Sequence, residues 1–140
     1  MNIPKLFEWL CKLSIALADI DEYLKGILGQ ILDSYKILAE LNDGPGDLET
    51  IKKELSKIRG LLQVLRSKLG VKKYQSDHLV TLYKLSTYYI DTYDFTREIE
   101  NLAPVYFNDP NRLKNLRLLI IDSLNDKKLI EKLQAILIRL

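Results

Sequence analysis

Apolar residues in the first forty positions fall in a strict alternation of three- and four-residue steps. Leu6, Leu10, Leu13, Leu17, Ile20, Leu24, Ile27, Ile31, Leu38 and Leu41 form this seam, and Ser34 is its one polar occupant. The spacing is that of a heptad stripe on a single long helix, expected over about 4–42, with Pro4 in the first turn where a missing N–H costs nothing. Phe7, Leu28 and Tyr35 widen the stripe on one side, and Trp9, Tyr23 and Ile37 widen it on the other. A stripe that wide exceeds what a two-stranded coiled coil covers, so the helix should meet at least two neighbours.

The stretch "LNDGPGDLETI" follows. Glycine supplies the left-handed backbone that ends a helix, proline cannot continue one, and Asp47 stands where an N-cap belongs. Leu48, Ile51, Leu55, Ile58, Leu62, Leu65 and Leu69 then resume the three–four spacing until Gly70. The expectation is a second helix over about 47–69, folded back on the first as an antiparallel hairpin, with Leu38 and Leu41 against Leu48 and Ile51. A phosphate-cradling loop is a poor reading of "GPGD". No strand precedes it, no Lys-Ser/Thr follows it, and it sets a carboxylate where an anion would sit.

The second half is less regular. Leu79, Leu82, Leu85, Tyr89, Ile90 and Tyr93 share one face, whereas Phe95, Ile99 and Leu102 fall well round from it. A straight helix would point one set into water, so the pattern predicts helices over about 77–92 and 94–103, with Asp94 as the new cap and Pro104 as the stop. Asp109 and Pro110 signal another start. Leu113, Leu116, Ile120 and Leu124 make one face, Leu129, Ile130, Leu133, Ile136, Leu137 and Leu140 another, and Asn125–Asp126 is the break, giving helices over about 110–124 and 126–140. The fold class is therefore all-α, a long hairpin packed with three to four shorter helices in one bundle-like domain over 1–140.

Composition agrees. The chain has 140 residues, 47% of them hydrophobic and 29% charged, enough to bury a core and too apolar for disorder. Gly and Pro are scarce, which disfavours a sheet with many turns. The net charge of +2 divides evenly, with 10 basic and 10 acidic residues up to Gly70 and 11 and 9 beyond it, so neither half is a basic tail. A single cysteine, Cys11, permits no internal disulfide and no cysteine-based metal site. Glu8, Lys12 and Asp19 interrupt what would be the apolar core of a signal peptide, and no run approaches the roughly 18 apolar residues of a membrane span. A cytoplasmic protein is expected.

Candidate chemistry is sparse. His78 has Gln75, not Glu, three residues before it, which does not suit a helical carboxylate–histidine metal site. Small helical ribonucleases of the HEPN type carry an Arg ahead of the His with four to six residues between them; here those positions hold Val71, Lys72 and Lys73. Asp19, Asp21 and Glu22 cluster on the first helix but flank its seam, as solvated charges do. No Ser-His-Asp or Cys-His set is supported. No catalytic, cofactor-binding or metal-ligating residue is assigned, and no enzymatic activity is expected.

Two features point to partners. Lys52, Arg59 and Arg66 recur every seven residues and form a row with about 10.5 Å between members, thickened by Lys53, Lys68, Lys72 and Lys73. Such a row can neutralise nucleic-acid phosphates without reading sequence, or pair with carboxylates such as Asp21 or Asp33. Among the four tyrosines at 83, 88, 89 and 93, Tyr89 and Tyr93 lie on the apolar face, while Tyr88 faces away and is a candidate for an interface or for stacking on a base. Trp9 is a second candidate interface residue. The reading these observations favour is a non-enzymatic helical subunit that acts by protein–protein contact or self-association. The alternative is a small helical subunit that grips nucleic-acid backbone within a ribonucleoprotein or viral assembly.

Overall fold

The computed structural model describes residues 3–44, 46–70, 76–93, 97, 98, 100 and 110–140, with side chains described from Asp21 onward, Pro110 excepted. Every regular element among them is a helix: α1 (Ile3–Glu40), α2 (Asp47–Leu69), α3 (Asp77–Thr92), α4 (Pro110–Leu124) and α5 (Leu129–Arg139). The helix expected over 94–103, its Asp94 cap and its Pro104 stop fall largely outside the described residues. The last helix begins at Leu129 rather than 126, because Asn125–Lys128 form a turn.

α1 packs against α2, α4 and α5, α2 lies between α1 and α3, and α3 also meets α5. The wide stripe on α1 thus meets three neighbours. All seven seam residues of α2 are buried, as are Leu24, Ile27, Ile31 and Leu38 of α1. They join Leu79, Leu82, Leu85 and Tyr89 of α3, and the buried faces of α4 and α5, in one contiguous core. Ser34 keeps its seam position and is fully buried, with no partner for its hydroxyl among the described residues. The two flanks of α1 differ. Leu28 is buried and Tyr35 half-buried, whereas Tyr23 and Ile37 stay exposed.

The turn after α1 is built differently from the sequence expectation. The left-handed residue is Asp43 (φ 60°), and no described glycine has positive φ. Asp47 is the first helical residue, not the cap; Gly46 occupies the cap position without a side-chain hydrogen bond. The Asp47 carboxylate instead reaches back to accept the Gly44 N–H at 2.8 Å, while its own N–H donates to Gly44 O at 3.0 Å. Aspartate tolerates left-handed backbone because its short side chain finds local or tertiary hydrogen bonds. For Asp43 the partner is tertiary.

That partner is Arg117 of α4. Its Nε and Nη2 donate to the two Asp43 carboxylate oxygens at 2.8 and 3.1 Å, and its Nη1 donates to Leu38 O and Ala39 O at 3.1 and 3.3 Å. The last carbonyls of a helix have no partner within it, so the guanidinium satisfies two of them and places a cation at the negative end of the helix dipole. The pair is buried, with side-chain exposures of 8% and 11%. Asp43 also raises the affinity of the guanidinium for its proton. At Gly70, at the far end of α2, a Cβ would meet Arg66 O at 3.1 Å, a close contact, and the Tyr83 ring at 3.6 Å, an ordinary one.

Two stability measurements follow from this packing. Ile51 is fully buried and Leu41 only half-buried against the core, so Ile51→Ala should cost about 2 to 5 kcal/mol in urea unfolding, and Leu41→Ala distinctly less. Arg117→Ala should cost about 3 to 5 kcal/mol, because it strands the Asp43 carboxylate. The pair Arg117→Met with Asp43→Asn should recover part of that loss, and a double-mutant cycle showing no coupling would contradict the clamp.

Candidate functional site

The basic row of α2 does not stand free. Lys52 Nζ lies 3.5 Å from Glu49 of the same helix, and Arg66 Nη1 lies 2.8 Å from Asp91 of α3. The partners of these two are thus Glu49 and Asp91, rather than Asp21 or Asp33, and Arg59 is not free either. Lys68 sits over the Tyr23 ring, 5.7 Å from its centroid, an attraction between a cation and the electron-rich ring face. Lys72, Lys73 and the Trp9 side chain lie outside the described residues. His78 is partly exposed in the first turn of α3, 3.5 Å from Ser76 Oγ. No group of three His, Cys, Asp or Glu suited to a metal ion occurs among the described residues, and no helix among them is long and apolar enough to cross a membrane.

The tyrosines of α3 are placed more specifically than their spacing indicated. Tyr89 is fully buried, and its hydroxyl accepts the Lys127 N–H at 3.2 Å. Tyr88, expected to face away from the apolar stripe, is half-buried against the edge of the core, and its hydroxyl donates to Asp126 in the α4–α5 turn. The two rings meet edge to face, 5.1 Å between centroids. From α1, Tyr35 accepts a hydrogen bond from Asn125 Nδ2 at 2.7 Å. Three phenols from two helices therefore hold the turn 125–128, in which Lys128 is left-handed (φ 55°).

Burial pushes the Tyr89 and Tyr93 phenols well above their ordinary range, and Asp126 and Glu98 respectively add to the shift. For Tyr89 the hydrogen bond from the Lys127 backbone partly offsets it. The Tyr88 phenol is pushed up chiefly by its hydrogen bond to the Asp126 carboxylate.

The Tyr88 ring divides two cavities of opposite charge. One, of about 320 Å³, is lined by Tyr89, Thr92, Tyr93, Ser123 and the carboxylates Asp122 and Asp126. The other, of about 350 Å³, is lined by Thr81, Leu85 and three lysines, Lys84, Lys127 and Lys132. Lys127 Nζ lies 5.4 Å from the Tyr88 centroid. None of these three lysines forms an ion pair among the described residues. Local signals for the basic cavity exist, in the i, i+4 spacing of Lys84 and Tyr88 and the run "NDKKLIEK". What joins them is the approach of α3 to the α4–α5 turn and α5, which no local pattern carries.

No protein-family model, no curated protein and no solved structure matches this chain.

The buried phenols set an alkaline limit on stability. Unfolded tyrosines ionise near pH 10, whereas Tyr89 and Tyr93 hold their protons to higher pH in the folded state. Their contribution is therefore complete below about pH 10 and declines as pH rises above it. Tyr93→Phe should flatten the fall of the urea midpoint as pH rises from about 10 to about 12, relative to the parent chain. An unchanged slope would show that this phenol ionises normally in the fold.

Proposed function

We propose that the protein is a non-enzymatic helical subunit that acts by contact, and that the exposed flank of α1 joins it to a second copy of itself. The observation that carries this reading is the incomplete cover of α1. After α2, α4 and α5 have packed against the helix, Tyr23 and Ile37 remain 46% and 39% exposed. They lie fourteen residues apart, and Trp9 lies a further fourteen before them, so all three share one heptad position. Ala16 and Gln30 hold the heptad positions between them, and large apolar residues recurring in heptad register are the kind of surface that one helix offers to another. The near-balanced charge, +2 overall, sets little repulsion between copies.

A two-fold interface uses the same patch on both subunits, so each substitution counts twice. Burying a large apolar side chain contributes about 1.5 to 3 kcal/mol, and each 1.4 kcal/mol is tenfold in affinity. Light scattering across a concentration series should show mass rising to that of a dimer. The double substitution Tyr23→Lys, Ile37→Lys should shift the midpoint upward by about tenfold or more while leaving the helical circular dichroism unchanged. A strict monomer at every concentration would remove self-association from the proposal.

A further inference from the structure

Lys84, Lys127 and Lys132 surround one solvent-open cavity between α3 and the start of α5, and none has an ion-pair partner among the described residues. Elsewhere Lys25, Lys52, Arg66 and Arg117 each meet a carboxylate. The nearest carboxylates along the chain do not neutralise the cluster. Asp126 accepts the Tyr88 hydroxyl and lines the acidic cavity instead, and Glu131 is exposed without an ion pair. Three ammonium groups without a close counter-ion among the described residues line one shared hollow, which favours an anionic occupant.

The floor between them is apolar and aromatic, formed by buried Leu85 and half-buried Tyr88. Lys127 already stands over the Tyr88 ring, so the ring face is reachable from this side. We infer that this groove binds single-stranded nucleic acid, with the lysines on successive phosphates and a base lying against Tyr88 and Leu85. Moving the Lys127 ammonium onto a phosphate frees the ring for stacking. Base–aromatic stacking tolerates any base, and lysines act as point charges without the bidentate fork that reads a guanine edge. Binding should therefore be salt-sensitive and nearly independent of sequence. The site differs from the α2 row in that three lysines without an ion pair among the described residues line one hollow together with an aromatic ring, whereas Lys52 and Arg66 of the row each meet a carboxylate.

The test is fluorescence anisotropy of the intact protein with labelled oligo-dT and oligo-U over a range of salt. Affinity should fall steeply with salt. Lys84→Glu with Lys132→Glu should weaken binding by about tenfold or more and lower the log–log salt slope by about 1.4, at about 0.7 for each strand phosphate released. The same charge change on exposed α2 positions, Lys53→Glu with Lys57→Glu, should leave affinity within about twofold. Tyr88→Phe keeps the ring and should retain binding, while Tyr88→Leu should lose it with the helical signal intact. Absence of binding at low salt, equal loss in both charge-reversal pairs, or equal competition by polyglutamate would overturn the inference. Inorganic triphosphate displacing the oligonucleotide at lower concentration than unlabelled strand would overturn it too, by marking a site for small phosphate compounds.

Discussion

Arg117 carries a positive charge into the place where α1 runs out of internal hydrogen-bond partners. Four donor contacts fix the geometry, two to the Asp43 carboxylate and two to the carbonyls of Leu38 and Ala39. The left-handed backbone at Asp43 is tolerable because its carboxylate has this partner, and the hairpin exists because the chain reverses there. Arg117 also positions α4 against the end of α1, and α4 in turn sets where the 125–128 turn and α5 lie. Such a buried pair does not compensate well for its own desolvation. Its contacts tie α4 to the end of α1 at one defined point.

The regular parts of the fold were legible because their signal is local. Every seam position assigned to α2 is buried, and the α1 seam holds from Leu24 to Leu38, since periodicity reports which face each residue occupies. The turns were legible only as turns. Glycine is the usual left-handed residue, but here a tertiary partner 74 residues away shifts that role to Asp43. Arg117 itself carried a signal, because it falls on the seam between Leu113 and Ile120, with Leu116 only half-buried beside it. A cation on a seam needs a buried counter-charge, and no spacing rule names one so distant.

The same contrast separates the two basic regions. Seven-residue spacing made the α2 row conspicuous, yet spacing is blind to Glu49 and Asp91, which pair with Lys52 and Arg66. Both pairs are substantially exposed, so they hold the side chains only weakly. Lys84, Lys127 and Lys132 had no such regularity and come together only when α3 approaches the α4–α5 turn. Tyr88 was singled out for facing away from the stripe, yet it packs against the edge of the core; what it meets, Asp126 at its hydroxyl and the lysine groove beside its ring, is a property of the assembled bundle.

The tyrosine-held turn also bears on how the chain closes. Asn125 and Tyr35 lie 90 residues apart, and Arg117 and Asp43 lie 74 apart, with the second pair nested inside the first. Once Arg117 has met Asp43, only eight residues on each side remain to be ordered before Asn125 reaches Tyr35. The effective loop shrinks from 90 residues to about 16, which lowers the entropic cost of the second closure by roughly 1.5 kcal/mol. Distant along the chain, the two contacts are thus neighbours in the order of assembly, and forming either makes the other cheaper in chain entropy. The C-terminal helices therefore join the hairpin as a cooperative unit rather than as separate attachments.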